Sequence, residues 1–159
     1  MAGARLRELE RLYRGRYRVF VRVALAITRD DELAAEAVQE AFLRAIRGRR
    51  RFRGAGPLEA WVWRSVVNEA KRLAARSRGG DCALPFEPST NGVADDEDAL
   101  RSLIGALPER QRLAVFLRYY ADLDYRTIAE VLEIKTGTVS ATLNAAHRSL
   151  RDAIQGVRS

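Results

Sequence analysis

The sequence predicts an all-α chain of two small helical domains joined by a flexible acidic linker, the second domain containing a helix-turn-helix. Three observations carry that prediction. Apolar residues recur at steps of three and four along most of the chain, and neither a strand pattern nor an internal repeat is present. The charge is divided into blocks: residues 1–78 hold 19 Lys/Arg and nine Asp/Glu, residues 79–98 hold six acids and no base, and residues 99–159 hold nine bases and six acids. Gly, Pro, Ser and Asn crowd the acidic block, where no period appears. The boundaries are therefore 1–78, 79–98 and 99–159. Modules of this size lie near the lower limit for an independent core, so a partner could complete them.

The elements follow in order. Leu6, Leu9, Leu12, Tyr13, Phe20, Val23 and Ile27 give residues 5–28 a helical stripe, loosened in the middle by Gly15 and Arg16. Asp30 or Asp31 is the expected N-cap of a second helix, Glu32 to Arg47, whose stripe is Leu33, Ala37, Val38, Ala41, Phe42 and Ile46. Residues 48–56, with three glycines and four arginines, read as a basic loop. Pro57 opens a third helix running to about Arg78, with Leu58, Trp61, Val62, Ser65, Val66 and Leu73 inward. Trp61 is assigned to the core by its helical position, and Trp63 is left open. After the linker, a helix is expected from Ala99 to Gly105 and another from Leu107-Pro108 to about Tyr120.

The last segment, 124–151, reads as two helices around a tight turn. Ile128, Ala129 and Leu132 line the first, and Val139, Leu143, Ala146 and Leu150 line the second. Ile134 plugs the turn between them, and Thr136 or Thr138 is the expected cap of the second helix. The turn position that often carries glycine is Glu133, and a non-glycine residue in the left-handed region costs about 1 kcal/mol, so different dihedrals are expected there. This is the pattern of a DNA-binding helix-turn-helix, whose second helix enters the major groove.

Composition narrows the chemistry. The chain has 28 Lys/Arg against 21 Asp/Glu and an isoelectric point near 10.3, which suits a polyanionic partner. A single cysteine, Cys82, and a single histidine, His147, leave no internal disulfide and too few ligands for a usual zinc site. Cys82 lies in the linker with no orienting group evident for nucleophilic catalysis. The apolar run Val23 to Ile27 is far too short for a membrane span, and acids within the basic N-terminus argue against a signal peptide. A peripheral membrane protein would need a strongly basic helix face backed by a large apolar one, and no helix combines them.

Two basic surfaces remain. Arg49, Arg50, Arg51 and Arg53 surround Phe52, and Arg64, Asn68, Lys71, Arg72, Arg76 and Arg78 share a flank of the third helix. Guanidinium groups bind phosphates, an aromatic in a basic loop stacks on an unpaired base, and an asparagine reads a base edge. The alternative for these residues is a solvated basic surface. On the last helix the expected groove face is Thr136, Gly137, Ser140, Ala141, Asn144, His147 and Arg148, with Lys135, Thr138 and Arg151 beside it; Lys135, Arg148 and Arg151 are its cations. The second helix instead exposes Glu32, Glu36, Gln39, Glu40 and Arg44 beside Phe42 and Leu43, a mixed face suited to a protein partner or simply to solvent.

Residues 31–47, Phe52-Arg-Gly54 with Trp61 to Asn68, and Leu107 to Arg112 with Leu117 to Tyr119 and Tyr125 to Val139 together resemble a bacterial extracytoplasmic-function (group IV) RNA polymerase sigma factor, over nearly the whole chain. The resemblance implies a cytoplasmic promoter-specificity subunit that binds core RNA polymerase through its beta and beta-prime subunits, has promoter DNA as its second partner, and is no enzyme and needs no cofactor or metal. An anti-sigma factor is a further partner class in the family. The resemblance assigns Glu36, Gln39, Glu40, Phe42, Leu43 and Arg44 to polymerase binding. Arg49, Arg50, Arg51, Phe52, Arg53, Arg64, Asn68, Lys71 and Arg72 fall to the minus-ten element and melting, with Phe52 capturing a flipped base and Asn68 lining its pocket. Lys135, Thr136, Thr138, Ser140, Ala141, Asn144, Arg148 and Arg151 fall to the minus-thirty-five element. Many members carry Lys or Arg where this chain has Ser140, Thr142 and Ala145, so weaker upstream recognition is expected. The alternative is a stand-alone helix-turn-helix regulator that never meets polymerase.

Overall fold

The computed structural model describes residues 6–52, 57–78 and 96–158, and among these every regular element is helical. The helices are α1 (Leu6–Thr28), α2 (Asp31–Gly48), α3 (Leu58–Arg78), α4 (Asp96–Gly105), α5 (Glu109–Val115), α6 (Tyr125–Leu132) and α7 (Thr136–Arg158). A 3₁₀ turn, Arg49–Arg51, extends α2, and a π-helical turn, Phe116–Tyr120, extends α5. Cys82 and Arg53 lie outside the described residues, as does most of the linker; α4 starts at Asp96, three residues before the expected Ala99.

Helices α1, α2 and α3 pack as a three-helix N-terminal module. Small residues set the spacing: Ala24, Ala34, Ala37, Ala41, Ala45 and Ala70 are buried between the helices and let their backbones approach. Phe20, Trp63 and Val38 fill the space that remains, and burying each large apolar side chain contributes roughly 1.5–3 kcal/mol. Asp30, not Asp31, caps α2, its carboxylate accepting from Leu33 N at 3.0 Å. Arg16 leaves helical geometry (φ −130°, ψ 15°), which kinks α1 beside Gly15 as the sequence suggested.

The second module wraps α5, α6 and α7 around Leu113, Leu117, Ile128, Val139 and Leu143. Asp124 caps α6 through Thr127 N at 2.8 Å, and Ile134 packs as the expected plug. Two expectations for the turn fail. Glu133 does adopt the left-handed region, with φ 57° and ψ 44°, and its N–H closes the helix on Ala129 O. Helix α7 begins at Thr136, so the N-cap position falls on Lys135 and neither threonine occupies it.

The modules are not merely tethered. Arg112, 5% exposed, donates from Nε to Ala26 O of α1 at 2.8 Å and from Nη1 to Leu107 O at 3.0 Å and Gly105 O at 3.3 Å. Arg29 donates to Gly105 O, and Arg16 to Ala121 O. Helix α6 lies against α3, and their side of the interface carries an ion pair, Arg64 Nη2 to Glu133 Oε1 at 2.8 Å.

Candidate nucleic-acid interface

The end of α2 and the start of α3 converge on an open cleft of about 190 Å³. It is lined by Arg51, Phe52, Pro57, Ala60, Trp61 and Arg64, with Glu130 of α6 facing it from the other module. The Phe52 and Trp61 rings lie 5.5 Å apart, centre to centre, at a tilt of 44°. The assignment of Trp61 to the core by helical position fails, and Trp63, left open by the sequence, takes the core place: Trp63 is fully buried against Phe20, and Trp61 is half-buried and lines the cleft. The buried indole keeps a partner: Trp63 Nε1 donates to Glu59 Oε1 at 3.3 Å, and the half-buried Glu59 in turn pairs with Arg16, so the ring is covered while its N–H stays bonded. Two aromatic faces flanked by two guanidiniums offer a flat, electron-rich base a stacking surface and its phosphate an anchor.

Of the other residues expected at this site, Arg50, Asn68 and Lys71 are exposed and Arg49 is half-buried, donating to Ile46 O at 2.7 Å. Asn68 lies one helical turn beyond Arg64 and does not line the cleft. Arg72 is committed elsewhere. Its Nε lies 2.9 Å from Glu69 Oε1, and Arg44 of α2 pairs with the other oxygen at 3.2 Å. Glu69, a residue that charge patterning did not single out, is 2% exposed and joins Arg44 of α2 to Arg72 of α3. The hydrogen bond to Glu69 holds the Arg72 guanidinium above its ordinary pKa.

Helix α7 presents Thr136, Gly137, Ala141, Asn144, Arg148 and Arg151 to solvent on the expected face, with Lys135 exposed just before it and Ser140 and Thr138 partly covered. His147 is half-buried and shares a 2.8 Å hydrogen bond with Tyr119 Oη, which makes it a strut between the π-helical turn and α7. On the far side of the N-terminal module, α1 and α2 leave an apolar groove of about 480 Å³. Gln39 and Leu43 stand on its rim, and Glu36 and Arg44 are exposed on the same helix, with Glu40 partly covered. Phe42 is only 4% exposed and stacks edge-on against Tyr13 and Phe20; it forms the wall of the groove rather than a free contact.

Comparison with known proteins places this geometry. Residues 12–79 match the family Sigma-70 region 2, and residues 97–150 match Sigma-70, region 4. The RNA polymerase sigma-H factor of Pseudomonas aeruginosa is 32% identical, over 79% of this chain and 75% of that protein. The chain belongs to the extracytoplasmic-function sigma factors. The ECF RNA polymerase sigma-E factor of Escherichia coli K12 is also 32% identical, over 76% of this chain and 73% of its own. The fold agrees with two proteins solved in complex with partners. RpoE of Bartonella quintana, in complex with the anti-sigma factor NepR, superposes with a TM-score of 0.72 at 18% identity, covering 94% and 98% of the two chains. CnrH, in complex with the cytosolic domain of CnrY, gives 0.73 at 18%, covering 96% and 91%.

Like its family, this sigma factor binds core RNA polymerase, directs it to promoters and assists DNA opening; it is not an enzyme. Among the described residues no cluster fit to hold a metal occurs, and no helix is long and apolar enough to cross a membrane.

Proposed function

We propose that the two modules divide the work of initiation, with residues 1–78 and 99–159 as functional domains and 79–98 as the linker. The groove between α1 and α2 docks the chain on polymerase, at the beta-prime subunit, through Gln39, Leu43 and the flanking Glu36, Glu40 and Arg44. The Phe52–Trp61 cleft captures an unstacked base of the minus-ten element. Arg51 and Arg64 hold its backbone, and Arg49, Arg50, Lys71 and Asn68 follow the strand away from it. Helix α7 lies in the major groove of the minus-thirty-five element, and its module meets the beta flap. The chain works in the cytoplasm. An anti-sigma factor is a fitting partner, since the superposed RpoE was solved with the anti-sigma factor NepR.

Opening DNA by this route needs no covalent chemistry. A base that stacks in the cleft is withdrawn from the duplex equilibrium, and each stacked base contributes about 1–3 kcal/mol. The reading rests on one observation: Trp61 turns its ring toward Phe52 between two arginines, where helical periodicity alone would bury it. Phe52→Ala should leave polymerase binding intact and lower promoter opening by roughly 5- to 150-fold, as the lost stacking requires. Permanganate reactivity of the melted strand measures it, and unchanged reactivity would remove Phe52 from the mechanism. A stand-alone regulator is not favoured, because it has no use for a cleft of this kind.

A further inference from the structure

We propose that the seam between α1 and the α4–α5 segment is a binding site for a small planar anion, an aryl carboxylate or an aryl phosphate. Its cavity is separate from the surfaces assigned above to polymerase and DNA. It shares no lining residue with the groove between α1 and α2, with the Phe52–Trp61 cleft or with the exposed face of α7.

The cavity measures about 240 Å³. Arg22 of α1, Arg29 just beyond it, Arg101 of α4 and Arg112 of α5 border it, and no acid stands among its described lining residues. Leu25, Phe116 and Tyr120 supply an apolar wall. The Phe116 and Tyr120 rings are stacked, 5.2 Å apart at a tilt of 23°. A dry cavity of about 150 Å³ accommodates benzene, so this one has room for a single ring and its charged substituent.

The arginines are in place before any ligand arrives. The Arg22 guanidinium carbon lies 5.1 Å from the centre of the Tyr120 ring. A guanidinium over a ring keeps its N–H donors in its own plane, available to an acceptor beside it. Arg29 gives one donor to Gly105 O at 3.0 Å, and the buried Arg112 is tied to Ala26, Leu107 and Gly105. Among the described residues no carboxylate lies within ion-pair distance of Arg22 or Arg29. Two guanidiniums without an acid partner attract an anion, and the planar fork of each matches a carboxylate or a phosphate. A bare inorganic anion leaves the apolar wall uncovered, whereas a ring buries it. The wall and the arginines come from both modules, so a ligand here touches α1 and α5 at once.

Titration of the isotope-labelled full chain at constant ionic strength, followed by amide shifts, tests this with four probes: benzoate, phenyl phosphate, benzyl alcohol and inorganic phosphate. Benzoate and phenyl phosphate should give saturable shifts centred on Leu25, Arg29, Phe116 and Tyr120, and the tighter of the two fixes the head group. Benzyl alcohol has the ring without the charge, and inorganic phosphate has the charge without the ring. Each should bind about tenfold more weakly, on the scale of one charged hydrogen bond or one buried ring. Arg22→Gln and Arg29→Gln should each weaken both aryl anions about tenfold. Arg14→Gln, which removes the same charge from the same helix away from the cavity, should not. Arg22→Gln breaks no hydrogen bond among the described residues, so it decides the matter even if Arg29→Gln unfolds. Absence of saturable shifts at the cavity overturns the site. Equal binding of benzyl alcohol reduces it to an apolar void, and equal binding of inorganic phosphate, or an equal loss in Arg14→Gln, reduces it to surface charge; each of these results overturns the proposal as well.

Discussion

At the scale of single residues, burial separates groups that look alike in sequence. Phe42 and Leu43 are neighbours on α2, yet Phe42 is locked between Tyr13 and Phe20 while Leu43 is exposed. Trp63 takes the core place that periodicity assigns to Trp61, and its N–H keeps an acceptor in the half-buried Glu59. Arg72 and Arg44 lose freedom to Glu69, whose burial between two arginines has no signature in residue spacing. Asp124 is the simplest case to test. Hydrogen bonds from the Thr127 side chain and backbone hold its carboxyl below the ordinary carboxylate range. A carboxyl lowered in the folded state contributes stability that is present above its unfolded value and lost as pH falls through the folded one. Asp124→Ala should therefore cost about 1 kcal/mol at neutral pH. Urea midpoints of the two chains should converge below the carboxylate range; a gap that persists there would mean the side chain acts other than as a charged cap.

At the scale of elements, α2 and α7 each bury one face and expose the other, and the two faces can be mutated separately. On α2, Phe42→Ala removes a buried aromatic and should destabilise the chain by roughly 3–5 kcal/mol. Leu43→Asp places a charge on the exposed rim of the groove, so it should abolish co-purification with core polymerase while circular dichroism and melting stay near those of the parent. Retained binding by a folded Leu43→Asp chain would count against docking through this groove. On α7, the exposed cations are few. With Lys135, Arg148 and Arg151 as the main phosphate contacts, the upstream duplex should be bound with a salt slope near 3, because each neutralised phosphate contributes about 0.9. Asn144→Ala should relax preference at one base pair by about 1–3 kcal/mol, and Arg151→Ala should weaken every sequence alike. Titrations on cognate and scrambled duplexes decide between them, and a uniform loss on Asn144→Ala would show that another residue reads the base.

At the scale of the whole molecule, arginine does structural work that its abundance conceals. A basic balance suggests a surface ready for DNA, yet Arg112, Arg16 and Arg29 are spent on backbone carbonyls, three of which lie across the module boundary. Arg112 is the most deeply placed. Arg112→Met keeps its volume but removes the donor from the Ala26 and Leu107 carbonyls, while Gly105 keeps its bond from Arg29. The expected loss is about 2–4 kcal/mol, on the scale of orphaned buried acceptors. Chemical denaturation measures it, and a change under 1 kcal/mol, on that same scale, would show that water replaces the guanidinium at little cost.

Helix positions, the acidic N-cap of α2, the kink beside Gly15, the division into two modules and the helix-turn-helix were all legible in the sequence, because each depends on residues within a turn or two of one another. Apolar period, capping chemistry and blocks of like charge act locally, and they survive whatever the rest of the chain does. The site was legible as a set of residue types: an aromatic among arginines, an amide on a helix flank, few cations on the last helix. What tertiary structure alone decided is which of those side chains are free. Packing drew Trp63 inward and left Trp61 for the cleft, Glu69 claimed Arg72, and α6 brought Glu130 and Glu133 to Arg64. The pair of Arg64 with Glu133 joins segments far apart in the chain, which residue spacing does not encode; Glu59–Trp63 and Glu69–Arg72 are neighbours on one helix, and what spacing could not give is which of their side chains packing buries.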